Sequence, residues 1–275
     1  MNSEQDAGRA SPLVGRSIVV TGGGSGVGRA IVERLALGGA RVTIIDVDVN
    51  GGIDTQRCLA AHGADVHLQV ADVRDQAAIT AAINETVAKF GGVYGLVNNA
   101  VLNDVRTMTG DGPIEEAKPQ IWRDAFDVNV VGYVRMASQV LPHMAKNGAG
   151  AIVNVASISG TTGELDRPAY GATKAAIISL TRSIATQYGR RGIRCNALAL
   201  GLIGTQPVLS SAATPMRERY LRHQLLDRIV SPADVAAATE FCLSDSAAAM
   251  TGTVLTLDAG VTAHLATFAD DVASP

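Results

Sequence analysis

The run Thr21-Gly22-Gly23-Gly24-Ser25-Gly26-Val27-Gly28 constrains what this chain can fold into more than any other segment. It follows directly on the β-branched stretch Ser17 to Thr21 and leads into apolar residues at helical spacing, Ala30, Ile31 and Leu35. Strand, tight glycine turn and helix in that order open a βαβ unit. Glycine permits the sharp reversal, lets the backbone approach a pyrophosphate closely and lets the helix sit against the sheet. The helix's first amides and positive dipole end then face the anion. A glycine-rich strand-to-helix turn without a ligand uses the same freedom, so the rest of the chain has to decide between the two.

From residue 16 onward, short β-branched runs alternate with longer amphipathic stretches, the pattern of a parallel sheet. The expected strands are Ser17 to Thr21, Arg41 to Asp46, Asp65 to Val70, Tyr94 to Val97, Ala151 to Val155, Ile193 to Ala197 and Thr253 to Leu257. Helices are expected to begin near Gly26, Gly52, Gln76, Pro119, Pro168 and Pro232, several of them at the Pro, Asp or Ser that helix N-termini favour. This predicts one α/β domain over residues 13–263: a Rossmann-type, doubly wound, seven-stranded parallel sheet flanked by helices. Residues 1–12 and 264–275 read as loosely held tails. The long non-strand stretches 101–118 and 201–231 each leave the carboxyl end of a strand, where such sheets bind ligands, and are candidate substrate walls.

Composition removes several function classes. With 18% charged residues and a net charge of -3, the chain has no broad positive field to attract nucleic acid. Cys58, Cys195 and Cys242 are odd in number and widely spaced, which suggests neither a disulfide framework nor a thiolate site and fits a reducing cytoplasm. No apolar stretch reaches the roughly 18 residues of a membrane span, and the polar opening does not resemble a signal peptide. The five histidines show no ligand spacing, so no metal is expected.

Asp46 ends the second strand, 18 residues after Gly28, where a carboxylate can accept both ribose hydroxyls of an adenosine and would repel a 2′-phosphate. The places that could supply a compensating cation hold Ser25 and Val47, so NAD is favoured over NADP. Tyr170 and Lys174 are four apart at the start of one helix and therefore share a face. Ser157, 13 residues before Tyr170, follows a strand, so its hydroxyl and the phenol can meet over one bound molecule. An ammonium about 4 Å from a phenol contributes on the order of 4 kcal/mol at an effective dielectric near 20. That would bring Tyr170 from about 10 to roughly 7, the useful range for a general base.

With these residues in place, the chain resembles the short-chain dehydrogenase/reductase superfamily over about Leu13 to Ala263. The resemblance rests on Thr21-Gly22-x-x-x-Gly26-x-Gly28, Asp72-Val73, Asn98-Asn99-Ala100, Asn129, Ser157 and Tyr170-x-x-x-Lys174. It implies a catalytic set of Asn129, Ser157, Tyr170 and Lys174, with Asn129 positioning a water that connects Lys174 to solvent. It implies cofactor contacts from Gly22, Ser25, Gly26, Val27, Gly28, Asp46 and Ala100. Asp72 and Val73 would bracket the adenine, Asn98 would fix the cofactor strand, Lys174 would hold the nicotinamide ribose beside Tyr170, and Ile203 and Thr205 would address the carboxamide. The implied activity is NAD-dependent interconversion of a secondary alcohol and a ketone, with a small-molecule substrate. An NADP-dependent 3-oxoacyl thioester reductase is the alternative within the class, and a non-catalytic nucleotide sensor the alternative outside it.

Two positions depart from the family pattern. Val101 stands where a glycine usually follows Asn-Asn-Ala, and Leu200 where a proline usually precedes Gly201. The turn after the fourth strand is therefore expected to follow a different path, and the departure angle of the second long loop to be less constrained. Arg217, Arg219 and Arg222, interleaved with Glu218, read as a solvated helix face rather than a grip on an anion. Glu164, Asp166 and Arg167 either line the pocket or face solvent. The helix from Pro168 to Tyr188 is small or apolar nearly all round, which predicts cover on a second side by another subunit in a homo-oligomer, a tetramer or dimer.

Overall fold

The computed structural model describes residues 12–210, 213–265 and 267–269. The expected tails lie largely outside these residues. Seven strands form one parallel sheet: β1 (Ser17–Thr21), β2 (Arg41–Asp46), β3 (Val66–Val70), β4 (Gly95–Asn98), β5 (Gly150–Ser157), β6 (Ile193–Leu200) and β7 (Val254–Leu257), in the order β3-β2-β1-β4-β5-β6-β7. The helices are α1 (Gly26–Leu37), α2 (Val49–Ala60), α3 (Gln76–Phe90), α4 (Val105–Gly110), α5 (Pro119–Phe126), α6 (Gly132–Asn147), α7 (Pro168–Tyr188), α8 (Gln206–Leu209), α9 (Thr214–Leu221) and α10 (Pro232–Leu243).

Strands covered on both faces are mostly apolar, and β1, with Ile18, Val19 and Val20 at its centre, is buried at every position. Leu35 of α1, Leu59 of α2 and Val235 of α10 pack with Val20, Val97 and Val153 on one face. Ile83 of α3, Met136 and Val140 of α6 and Ile184 of α7 pack with Val19, Leu96 and Ile152 on the other. Asp48 and Asp75 cap α2 and α3 through backbone amides, and Ser231 with Asp234 forms a reciprocal capping box on α10. The Asp48 cap starts α2 three residues before the expected Gly52.

β5 and β6 run further than their β-branched residues imply. Each is an interior strand hydrogen-bonded on both sides, and the pairings Ala156↔Ala199 and Ser157↔Leu200 extend the ladder through residues of low strand propensity. Ser157 is thus the last residue of β5 rather than part of the loop after it. The two expected substrate loops contain helix, α4 in the first and α8 and α9 in the second. Strand order reverses between β1 and β4, so the loops that follow them part and leave a crevice at the carboxyl ends of the strands.

Candidate active site

A groove of about 1130 Å³ runs along those carboxyl ends, bordered by the glycine turn, the ends of β2, β4, β5 and β6, and the start of α7. All the sequence-predicted site residues border it except Asn98 and Asn129, which lie behind its wall. Gly22 and Gly26 have left-handed φ of 67° and 53°. A Cβ on Gly28 would fall 1.9 Å from the carbonyl oxygen of Gly22, so the turn tolerates no side chain there, whereas a Cβ on Gly26 would meet only Thr205. Asp46 accepts the amides of Gly24 at 2.8 Å and Asp48 at 2.9 Å, which ties the turn to the end of β2. Thr21 Oγ1 accepts the amides of Asn99 and Ala100, while Asn99 Nδ2 donates to the carbonyls of Thr21 and Gly22.

These features leave room for a dinucleotide. The turn is stripped of side chains where a pyrophosphate would lie, and Asp46 stands at the ribose end. The two arginines at that end are both engaged, Arg29 with Glu33 at 2.8 Å and Arg74 with Asp72 at 2.6 Å. The Arg74 guanidinium holds the Asp72 carboxyl below its usual range. Asn98, fully buried, donates to Asn154 at 2.9 Å, and Asn154 donates to Thr181 on α7, so Asn98 braces β4 against β5 rather than facing the groove. Val101 keeps a negative φ. The chain beyond it is held by the Asn129 side-chain carbonyl, which accepts the Leu102 amide at 2.8 Å. Leu200 stays within β6, and its carbonyl accepts the Ser157 hydroxyl.

At the other end of the groove, β5 delivers Ser157 and the first turn of α7 delivers Tyr170, with Lys174 one turn on. Lys174 Nζ lies 5.4 Å from the centre of the Tyr170 ring and donates to the Val155 carbonyl at 2.9 Å. That same carbonyl accepts the buried Tyr133 hydroxyl. The expected drop of the Tyr170 phenol to roughly 7 is not what this arrangement produces. Burial pushes the phenol above its ordinary value; Arg167, and then the Ser157 hydroxyl, act against that. Burial also pulls the Lys174 ammonium down to about 7, with repulsion from Arg167 adding to it. The physical reason is desolvation: a lysine this deeply buried loses much of the charge that was to lower its neighbour.

Asn129 sits in a π-helical turn, Asp127–Val131, that joins α5 to α6. Such turns are rare and tend to occur at functional sites. This one sends the Asn129 side chain to Thr173 of α7 as well as to Leu102. Several residues of the site carry no signal in the sequence. Asp111, at the end of α4, accepts the amides of Ala169 at 3.0 Å and Tyr170 at 2.9 Å, and so caps α7 from 58 residues away. Its carbonyl accepts the Arg167 amide. Ser159 accepts the Ser157 hydroxyl and donates to Glu164. Of the three residues left open between Ser157 and Tyr170, Arg167 borders the groove while Glu164 and Asp166 are exposed. Arg219 and Arg222 are exposed, as expected of a solvated face, whereas Arg217 is half-buried and donates to the Val208 carbonyl and the Thr214 hydroxyl.

The chain is similar to known proteins over most of its length. The family described as enoyl-(acyl carrier protein) reductase matches residues 22–262. A protein of Bradyrhizobium diazoefficiens, named a probable short-chain type dehydrogenase/reductase, is 39% identical over 256 residues, 93% of this chain and 90% of the relative. The cis-4-hydroxycyclohexanecarboxylate dehydrogenase of Sinomonas cyclohexanicum is 36% identical over 248 residues, 90% of this chain and 97% of the relative. The crystal structure of levodione reductase superimposes with a TM-score of 0.85 at 32% identity, over 92% of this chain and 100% of that one.

Proposed function

This chain belongs to the short-chain dehydrogenase/reductase superfamily, and from that premise we propose that it is an NAD-dependent oxidoreductase interconverting a secondary alcohol and a ketone, with Tyr170 exchanging the hydroxyl proton. The observation that carries the reading is the meeting of Ser157, Tyr170 and Lys174, from β5 and α7, at one end of a groove whose other end is the glycine-rich turn and Asp46. Relatives named for ring alcohols and ketones, 7α-hydroxysteroid dehydrogenase and levodione reductase among them, support a secondary hydroxyl as the reacting group.

A bound nicotinamide cofactor supplies hydride acceptance and donation. The chain supplies the proton and the geometry. Tyr170, kept protonated by burial, is set to give its proton to the oxygen in the reduction direction and must lose it to act in oxidation. Ser157 is placed to donate a hydrogen bond to the same oxygen as charge develops there. By the family resemblance Lys174, beside the Tyr170 ring, and Asn129 would carry the proton toward solvent. NAD rather than NADP is supported by Asp46 and by the engagement of Arg29 and Arg74 with carboxylates. These features count against the NADP-dependent thioester reductase, and the completeness of the catalytic set counts against a sensor without turnover. Three free thiols support a reducing, cytoplasmic setting.

Steady-state kinetics on a panel of secondary alcohols and ketones tests the reading. NAD is expected to exceed NADP by at least tenfold in kcat/KM, about 1.4 kcal/mol, and Asp46→Ala should narrow the gap. Tyr170→Phe is expected to lower kcat by about 100-fold or more while cofactor affinity survives. The oxidation rate should climb with pH and the reduction rate should not. Near-normal turnover by folded Tyr170→Phe would assign the proton transfer to another residue.

A further inference from the structure

Arg167 is one of two non-glycine residues among those described with a left-handed backbone, φ 65°. That conformation is unfavourable for an L-residue, and here it is fastened by the bond from the Arg167 amide to the Asp111 carbonyl at 2.8 Å. The result is a guanidinium whose carbon lies 4.1 Å from the centre of the Tyr170 ring, on the wall of the groove. Among the described residues no carboxylate lies within ion-pair distance of it. The arginines at the other end of the groove, Arg29 and Arg74, each have one.

None of the described acids near it in the fold pairs with it, and Asp166, the residue before it, is exposed to solvent. Asp111 spends both carboxylate oxygens on the amides of Ala169 and Tyr170, and Glu164 takes the Ser159 hydroxyl. Lys174, also beside this ring, has no acidic partner among the described residues either. Tyr220 of α9 stands within the field of Arg167 and Glu164, so the second loop reaches this point. A guanidinium covered by substrate without a counter-ion would be left desolvated and unpaired, which is strongly unfavourable. A planar fork of donors matches a carboxylate in bidentate geometry, as it does a phosphate, and a carboxylate is the anion in the name of the Sinomonas relative, cis-4-hydroxycyclohexanecarboxylate dehydrogenase.

We infer that Arg167 is a specificity-determining residue that takes a carboxylate carried by the substrate, making this enzyme a hydroxy-acid/oxo-acid oxidoreductase. The inference rests on the function proposed above, since it places the carboxylate on the molecule whose carbinol meets Tyr170.

Cyclohexanecarboxylate and cyclohexanecarboxamide have the same ring and no hydroxyl to oxidise, so they probe the anion site without turnover. Calorimetric titration of each into wild-type protein saturated with NAD is expected to show the carboxylate binding at least tenfold more tightly, about 1.4 kcal/mol. Arg167→Gln, which carries the same backbone cost, should erase that preference. Arg167→Lys should restore part of it, because charge returns without the fork. A carboxylate that binds no more tightly than the amide, undetected binding included, overturns the inference, as does a preference that persists in Arg167→Gln. The parent reading fails separately. Turnover of a neutral alcohol such as cyclohexanol alongside a failed carboxylate preference removes only the role of Arg167. An Arg167-dependent preference in a protein that turns over neither hydroxy acids nor neutral alcohols removes the oxidoreductase reading instead.

Discussion

Lys174 is among the largest fully buried side chains of the described residues, and it carries a charge there at a cost. Its folded-state value near 7, against an ordinary 10.5, means that the folded protein binds fewer protons than the unfolded chain between those two values. Wild-type stability should therefore rise with pH across that window, and the full desolvation cost should be present below about 7. Lys174→Met removes the ammonium and keeps most of the volume. The Val155 carbonyl keeps the Tyr133 hydroxyl as a donor. Thermal denaturation without cofactor should show the variant melting above wild type below about pH 7, with the difference closing toward pH 10. A difference that ignores pH would assign the effect to packing. At the same scale Arg167 and Lys174 both lie close to one ring, and their mutual repulsion is part of what holds Lys174 down. The residue pattern Tyr-x-x-x-Lys carries the contact between phenol and lysine. It cannot carry the sign of the pKa changes, which depend on how much water the surrounding elements exclude.

α7 begins with no capping side chain of its own, and its N-cap position is the left-handed Arg167. The orphan amides of its first turn are instead taken by Asp111 from the end of α4. The helix that presents Tyr170 is therefore fixed at its start by the first substrate loop. Asp111→Ala should lose about 0.5–2 kcal/mol, the usual range for an N-cap, and kcat should fall with it because Tyr170 sits on a freed amide. Asp111→Asn, which keeps one acceptor, should recover most of both. Thermal melts and kcat on the same preparations check this, and an Asp111→Ala protein with unaltered melting and turnover would leave the cap without a role. The π turn at Asp127–Val131 works in a similar way, since Asn129 links the first loop to Thr173 on the same helix. Thus α7 is positioned by two side chains that reach it from outside its own sequence.

For the whole molecule, α7 also supplies a surface. Ile177, Ile178 and Ile184 face inward, while Ala175, Ser179, Arg182, Ser183 and Thr186 form an exposed stripe. Apart from Arg182 the stripe is small and polar rather than apolar, and its small residues let another helix approach closely. The π turn packs against α7, and Val131 there and Val134 in α6 are 39% and 44% exposed, enough to give a joint face an apolar share. The homo-oligomer proposed from the sequence should use this face. Sedimentation at micromolar concentration should show a dimer or tetramer for wild type and a smaller species for Ser179→Arg, and a wild-type monomer would end the proposal. No helix among the described residues is long and apolar enough to cross a membrane. The sequence by itself determined the features that rest on local spacing. The glycine turn, Asp46 at the end of β2, the Tyr170 and Lys174 pair and the alternation of strand and helix each lie within one or two elements, where the periods of strand and helix translate spacing into direction. Only the tertiary structure decided how far β5 and β6 extend, that Asn98 turns away from the groove, that Asp111 caps α7 and that Arg167 stands over Tyr170. Those depend on ladder partners and on contacts between residues tens of positions apart, and on the exclusion of water that those contacts create, none of which is encoded in spacing along the chain.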